Sequence, residues 1–383
     1  MDKGKRVLVV GSPSRNWEQW EQTERQQAVV DGLLEAGHHV IWFRPIAPLP
    51  QKNPKIEKYN TTISKLSRKK LLHSFITFVL SPIWLFHAVI SKKAKCILVF
   101  DPVQATLAGF ASFLLRVPIV MFALPEALNA QLAPSRWALG RLFQKMFYVL
   151  GFNFCKKVIV SSDFAKKSAK KIPYISQKKI FVHRRPLSKV LEESETEKRD
   201  KLIEHYELPE KSITVCLYGV FGKGSNIEKC LRALSASNSE RLTYIICEDG
   251  ERQTNVRSLC VGLGLNEEVV FVDDRKQFKS VLQSADIYLL PTASQDVSLA
   301  FIEALSGGAI ILSAPSEAIA EVIKDERLLL DTSHVDTMAK SLRALGQQKG
   351  HLEELRKISA QSRSYFSNNW SDFFDGILDF SKT

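Results

Sequence analysis

The hydrophobic positions of this chain fall into short continuous runs, separated by longer segments of helical period. The run at residues 287–290 has the length of a strand, whereas apolar positions in residues 18–35 recur with helical spacing. A strand that is apolar throughout is buried on both faces, which is typical of parallel sheets covered by helices. The alternation predicts an α/β protein, with strands at residues 6–10, 38–43, 96–100, 118–122, 158–160, 180–182, 213–219, 242–247, 269–272, 287–290, 309–312 and 328–331.

One strand–loop–helix–strand unit carries the most chemical information. The strand at 287–290 is followed by a polar loop, and Ser298 then opens a helix that ends at Gly307-Gly308. A helix N-terminus offers unpaired N–H groups and a partial positive charge, so it is a natural seat for a phosphate. Glu303 lies about one turn further on, where its carboxylate can accept two hydroxyl hydrogen bonds from a ribose. The unit predicts a nucleotide-sugar site whose phosphate seat is formed by the N–H groups of Ser298, Leu299 and Ala300.

This stretch resembles the donor-site signature of glycosyltransferase family 4, whose members have the GT-B fold. The signature is Glu, seven residues, Glu, then Ala and a Gly; Glu303, Ala304 and Gly308 match it. Gln295 stands in the place of the first Glu, with Asp296 beside it. The resemblance implies that Glu303 binds the nucleotide ribose and that Gln295 or Asp296 contacts the transferred sugar. The alternative is an ordinary βαβ unit of any Rossmann-like protein.

A second phosphate-binding segment follows the strand at 213–219. Gly222 and Gly224 would let the backbone approach a phosphate, and Lys223 between them supplies positive charge. The segment resembles the Gly-Arg, short insert, Lys-Gly element with which the family holds the donor diphosphate, although Val220 stands where the Arg belongs. The alternative is a plain turn between strand and helix with a surface lysine.

The loop after the strand at 118–122 is the candidate acceptor loop. In family 4 this loop often carries a His near the reacting centre, and here it carries none. Glu126 is the candidate for acceptor contacts, and a surface acid at a helix start is the alternative.

Charge is distributed unevenly along the chain. Residues 1–190 hold 31 Lys and Arg against 10 Asp and Glu, whereas the remainder holds 22 against 31. A basic half predicts an anionic partner. Its aromatic residues sit in hydrophobic runs rather than among Lys and Arg, so nucleic acid is not expected.

Two basic stretches, residues 51–95 and 134–157, are candidates for contact with an anionic membrane surface. Residues 71–90 carry no charged side chain, but Pro82 lies in their middle and predicted sheet strands lie on both sides. A helix, or a helix pair broken at Pro82, that lies in the membrane interface is therefore favoured over one that spans it. A buried helix with a basic collar remains the equal alternative.

These patterns together predict a GT-B protein with two Rossmann-like parallel-sheet domains that face an interdomain cleft. The expected bounds are 1–190 for the acceptor and membrane-facing domain, 191–355 for the nucleotide-sugar domain and 356–383 for a C-terminal helix that crosses back. The charged stretch at 187–207 is the expected hinge. The six cysteines form no CxxC pair and are expected to be reduced core thiols, with no metal site.

The resemblance implies a glycosyltransferase that moves a sugar from a UDP- or GDP-sugar to a glycan or lipid-linked acceptor in cell-surface polysaccharide or glycolipid synthesis. It further implies retention of anomeric configuration, with no obligatory cofactor or metal. The start of the sequence runs straight into a strand, so a cytoplasmic protein is expected, peripheral on the inner face of the cell membrane. The alternative is a catalytically degenerate GT-B protein that acts as a binding or scaffold subunit.

Overall fold

The chain forms two compact units in a computed structural model. Unit 1 comprises residues 1–186 and 367–383, and unit 2 comprises residues 187–366. The domain bounds expected from the sequence, at 190 and 355, stay predictions. The structure describes residues 4–11, 19–43, 54–59, 70–123, 138–172, 175–188, 195–218, 226–239, 241–247, 253–265, 267–293, 296–347, 349–367 and 369–380.

Unit 1 contains a seven-stranded sheet whose strand pairs are all parallel, in the order β3-β2-β1-β4-β5-β6-β7. Both faces of β1 are buried, because Leu8 and Val10 pack in one hydrophobic cluster and Val7 and Val9 in another. The prediction of strands buried on both sides is therefore confirmed here. The strands are β1 (Arg6–Val10), β2 (His39–Phe43), β3 (Glu57–Tyr59), β4 (Cys96–Val99), β5 (Ile119–Phe122), β6 (Cys155–Val160) and β7 (Ile180–Val182).

Five described helices lie between these strands. They are α1 (Gln19–Glu35), α2 (Lys70–Ser91), α3 (Pro102–Leu115), α4 (Ala138–Phe154) and α5 (Asp163–Lys170). The Asp101 side chain caps α3 by accepting from the N–H of Gln104, and Arg116 ends that helix in the left-handed region at φ 52°. Pro82 lies inside α2, which is one helix and not a pair. Among the described residues, no helix combines the length and the apolar character that a membrane crossing requires.

Helices α3 and α4 approach each other closely at two glycines. A Cβ at Gly109 would overlap the ring of Phe154, and a Cβ at Gly151 would overlap the backbone of Pro102. The Thr106 hydroxyl also donates to the carbonyl of Phe147 at 2.6 Å. These contacts hold the two helices together on one face of the unit 1 sheet.

Unit 2 contains a five-stranded sheet, again parallel, in the order β10-β9-β8-β11-β12. Its strands are β8 (Ile213–Tyr218), β9 (Leu242–Cys247), β10 (Val269–Val272), β11 (Ile287–Leu290) and β12 (Ile310–Ser313). The strand expected at 328–331 is wrong: a short 3-10 turn occupies Glu326–Leu328, and Leu329 forms an isolated bridge with Ser313.

Helices surround this second sheet, and the helix in the charged stretch after residue 187 was not predicted. The charged stretch expected to be a hinge contains α6, which packs against α9. The described helices of unit 2 are α6 (Glu195–His205), α7 (Ile227–Ser237), α8 (Gln253–Gly262), α9 (Arg275–Ser284), α10 (Leu299–Gly307), α11 (Glu317–Val322), α12 (Val335–Gln347) and α13 (Lys349–Gln361).

The chain then returns to unit 1 with α14 (Trp370–Leu378), which packs against α1. Asn369 caps it by accepting from the N–H of Asp372, and the Trp370 ring fills the space that a Cβ at Gly32 would occupy. All six cysteines are buried and free of disulfides, as predicted.

Candidate functional site

The order of the strands in unit 2 marks where a ligand would bind. Strand β8 lies between β9 and β11, so the direction of the chain through the sheet reverses there. In open α/β sheets, ligands bind at such a switch point, beyond the carboxyl ends of the strands. Leu217 pairs with Leu289, so β8 and β11 end side by side at Tyr218 and Leu290. The two segments that the sequence predicts to bind phosphate follow these two neighbouring strand ends.

Asn226 forms a direct hydrogen bond to the loop that follows β11. It is the first described residue after the Gly222–Gly224 segment and stands at the start of α7. Its side-chain amide donates to the carbonyl of Pro291, which begins the loop after β11, at 3.0 Å, and to the Thr332 hydroxyl at 3.2 Å. The sequence predicted Asn226 only as the start of a helix. The signal that could have indicated its role is an amide side chain between a glycine-containing loop and a helix.

The helix after the second loop begins as predicted. The Ser298 hydroxyl accepts from the N–H of Phe301 at 3.0 Å and caps α10, and Gly308 ends the helix at φ 98°. The predicted phosphate seat is therefore a capped helix start directly beyond the carboxyl edge of the sheet. Leu299 and Ala300 are buried, at 2% and 0% exposure of the whole residue.

Glu303 is buried and already held by protein groups. Its Oε1 accepts from the Ser188 hydroxyl at 2.6 Å and its Oε2 from the Gln283 amide at 2.7 Å. The ammonium of Lys279 lies 3.9 Å from Oε2. The side chain is 5% exposed. Each carboxylate oxygen has two lone pairs, so these bonds orient Glu303 and still leave capacity to accept from a ribose hydroxyl.

Of the remaining predicted site residues, one is buried and the others lie outside the part of the chain that the structure describes. Asp296 is buried at 4% exposure in the loop that leads to α10. Outside the described residues lie Glu126, Gly222, Lys223, Gly224 and Gln295. Within the described part of the chain, no three His, Cys, Asp or Glu side chains are grouped closely enough to hold a metal ion.

Comparison with known proteins finds likeness to glycosyltransferases. Residues 198–364, which lie within unit 2, match the family described as "Glycosyl transferases group 1". A curated relative, the O-antigen biosynthesis glycosyltransferase WclY of Escherichia coli, is 23% identical over 168 residues, which are 41% of this chain and 48% of that protein. The chain spans about half the length of the curated relatives it matches.

Solved structures extend the likeness to both units. Anabaena Alr3699/HepE in complex with UDP and glucose has a TM-score of 0.68 at 13% identity, over 97% of this chain and 98% of that chain. A glycosyltransferase from Rickettsia africae has a TM-score of 0.70 at 13% identity, over 99% and 100%. With its two parallel sheets, the chain has the GT-B fold of two Rossmann-like domains, as the sequence predicts.

Proposed function

We propose that this chain, whose residues 198–364 form a glycosyl transferases group 1 domain, is a glycosyltransferase that uses a nucleotide-diphosphate sugar. The observation that carries the proposal is the bond from Asn226, at the start of α7, to the carbonyl of Pro291, which begins the loop after β11 at the switch point of the unit 2 sheet. That loop leads to a capped helix start, and the sequence before Asn226 contains Lys223 between two glycines. That arrangement suits a diphosphate.

Each candidate residue has a separate part in the proposed reaction. The N–H groups of Ser298, Leu299 and Ala300, together with Lys223, stabilise the charge that develops on the nucleotide diphosphate as it leaves. Glu303 holds the ribose, and Gln295 or Asp296 contacts the sugar that is transferred. Glu126 contacts the acceptor.

The finer features of the reaction follow from the resemblance to family 4. The sugar keeps its anomeric configuration, and the chain requires no metal ion. The donor is a UDP- or GDP-sugar; the UDP in the HepE structure supports UDP. The acceptor is a glycan or lipid-linked glycan of a cell-surface polysaccharide or glycolipid, which the likeness to an O-antigen glycosyltransferase supports.

Ligand-induced stabilisation tests the donor class. UDP and UDP-sugars should raise the thermal midpoint of the wild-type chain with increasing concentration, by a free energy of about 2.7 kcal/mol at a hundredfold excess over Kd. Lys223→Ala and Glu303→Ala should lose most of this stabilisation and most turnover. The matched controls are Lys229→Ala and Glu353→Ala, which change exposed residues on α7 and α13. Absence of stabilisation by every nucleotide diphosphate would refute the donor site.

An exposed apolar surface on unit 1 supports a lipid-linked acceptor. Of the eleven large apolar side chains that are exposed in the described residues, ten lie on α2, α3 and α4, of which α3 packs against both others. We call this surface the apolar face; its members are Val79, Ile83, Ile90, Val103, Phe110, Phe113, Leu114, Met146, Leu150 and Phe154.

The charge around the apolar face favours an anionic membrane over a protein partner. Residues 70–162 hold ten Lys and Arg against two acids, Asp101 and Glu126. Lys93 follows the end of α2, Arg116 follows α3, and Lys145 lies on α4; all three are exposed. Exposed aromatic and aliphatic side chains among cations are typical of a surface that lies in the membrane interface. The chain would then work on the inner face of the cell membrane.

Vesicle flotation tests this part of the proposal. The wild type should float with vesicles that contain phosphatidylglycerol and less with phosphatidylcholine alone. Ile83→Ser combined with Phe113→Ser should abolish flotation, because both side chains are highly exposed, at 62% and 77%. Val261→Ser is the control, since Val261 is equally exposed at 62% but lies on α8 of unit 2. Equal flotation of all variants would exclude the apolar face.

A second candidate function is a degenerate GT-B protein that binds nucleotide weakly and recruits partners. Gln295 in place of the first signature Glu, and the two protein donors that already hold Glu303, favour it. Under this alternative, Lys223→Ala and Glu303→Ala would leave the cellular function intact while removing nucleotide binding.

A further inference from the structure

Unit 2 contains a cavity of about 500 Å³ between α6 and α9. The lining residues of α6 include Lys198, Lys201 and His205, and those of α9 include Ser280 and Ser284. On each helix they recur with the spacing of a single face. The cavity is thus the gap between two facing polar stripes, and its volume lies in the range of small-molecule sites.

Lys198 is the unusual residue of this cavity. It is only 3% exposed, yet it makes no hydrogen bond or ion pair with any residue that the structure describes. The ammonium of a side chain that is almost wholly buried is only partly hydrated, so a counter-charge beside it would be favourable. Since Lys198 lines an open cavity, an anion in that cavity would supply the missing partner.

The other groups around the cavity suit a ligand that carries hydroxyls as well as charge. Lys201 adds a second cation against one acid, Glu204. The Tyr206 hydroxyl donates to Gln277 at 2.7 Å, and burial raises its pKa to about 12, so it stays protonated. The hydroxyls of Ser280 and Ser284 and the Gln277 amide can donate and accept.

We propose that this cavity is a second anion site, which binds a small phosphate monoester with hydroxyl groups, of the sugar phosphate class. Lys198 and Lys201 bind the phosphate, and Ser280, Ser284 and Gln277 bind the hydroxyls.

The site is separate from the candidate donor site. Glu303 contacts α9 through Lys279 and Gln283, whereas the cavity contacts the same helix through Gln277, Ser280 and Ser284. At 100° per residue, the centres of these two sets are roughly 110° apart around α9, so they lie on different faces of the helix. Ligand binding in the cavity therefore does not depend on the proposed transferase activity.

Calorimetric titration of the full chain with glucose 6-phosphate, inorganic phosphate and glucose tests the site. The wild type should bind glucose 6-phosphate more tightly than phosphate, and glucose not at all. Lys198→Met should weaken glucose 6-phosphate binding by about tenfold or more, which is the loss of one charge-assisted hydrogen bond. The matched control is Lys340→Met, an exposed lysine on α12, which should bind as the wild type does.

A second variant covers the case in which Lys198→Met fails to fold. Ser280→Leu changes an exposed residue at the rim of the cavity and should block entry. UDP-induced stabilisation, measured on the same samples, should be unchanged in both variants if the sites are separate. Wild-type affinity in both variants, or no wild-type binding of glucose 6-phosphate at millimolar concentration, would overturn the proposal.

Discussion

The hydroxyl of Ser188 donates a 2.6 Å hydrogen bond to the carboxylate of Glu303, 115 residues further along the chain. The N–H of Ser188 also donates to the hydroxyl of Ser306, one turn beyond Glu303 on α10. The first residues of unit 2 are thereby attached to the helix that carries the candidate ribose acid. The Gln283 amide of α9 donates to the other oxygen, so groups from two separate segments fix the direction of one carboxylate.

The first prediction concerns this bond. Ser188→Ala should lower the free energy of unfolding of unit 2 by about 1–3 kcal/mol, because a buried carboxylate oxygen loses its donor. Urea denaturation followed by fluorescence measures the change. Ser341→Ala is the matched control, since the exposed Ser341 hydroxyl bonds only to a carbonyl of its own helix. An equal effect of the two substitutions would mean that Ser188 does not hold Glu303 in solution.

The second prediction concerns the link between the start of α7 and the loop after β11. Asn226→Ala removes the donor to Pro291, so this link is lost and the Kd for UDP at the proposed donor site should rise by about tenfold, the equivalent of one net hydrogen bond. Calorimetric titration with UDP measures this. Thr332→Val keeps the Asn226–Pro291 bond and removes only the second acceptor, so it should bind UDP as the wild type does. Equal Kd values in the wild type and Asn226→Ala would contradict the role assigned to this link.

Much of the fold could be predicted because it depends on local pattern. The strands at 6–10, 242–247, 269–272 and 287–290 have the predicted bounds, since continuous apolar runs ending at Gly, Pro or charged residues leave few alternatives. The polar edge strand at Glu57–Tyr59 was not predicted, because only three residues take part and two are charged. Pairing with β2, and not its own composition, makes it a strand.

The candidate site was predictable only in part. The cap at Ser298 and the end at Gly308 follow from residues within the helix itself. The partners of Glu303 could not be predicted in this way, because Ser188 and Gln283 are distant in sequence and neither belongs to a motif. The same holds for Lys198, whose burial depends on how α6 packs against α9.

The third prediction concerns Lys157, which holds the C-terminal helix in unit 1. It is 5% exposed, and its ammonium donates to the carbonyls of Gly376, Ile377 and Asp379 at the end of α14. A cation at a helix C-terminus also offsets the partial negative charge there. Lys157→Met should cost about 2–3 kcal/mol of unfolding free energy, the value of buried bonds from a charged donor.

Chemical denaturation of unit 1 provides the measurement for Lys157. Lys178→Met is the control, because Lys178 is exposed and should change the unfolding free energy by less than about 0.5 kcal/mol. If Lys157→Met were as stable as this control, the three carbonyls would have to accept hydrogen bonds from other donors. Lys157 would then not be needed to hold α14 in unit 1.

The fourth prediction is a loss of stability in acid, caused by two histidines that pack against α14. The His38 ring lies 6.2 Å from that of Phe374 and the His183 ring 5.9 Å from that of Phe373, in edge-on geometry. Burial lowers the pKa of both imidazoles from the ordinary value of 6.5. The Nδ1 of His38 also accepts from the N–H of Lys5 at 3.1 Å, which requires that nitrogen to be unprotonated.

The sign of the effect follows from proton linkage. Below pH 6.5 the unfolded chain binds more protons at these histidines than the folded chain does. The free energy of unfolding therefore falls as the pH drops through and below 6.5. The free energy of unfolding from urea titrations should be lower at about pH 5 than at about pH 7.5, because protonation of the two imidazoles favours the unfolded chain. His38→Gln keeps an acceptor without a proton to gain, so the difference should shrink. His39→Gln changes an exposed neighbour and should leave it intact. If His38→Gln and the wild type lost equal stability in acid, protonation of His38 would not be the cause.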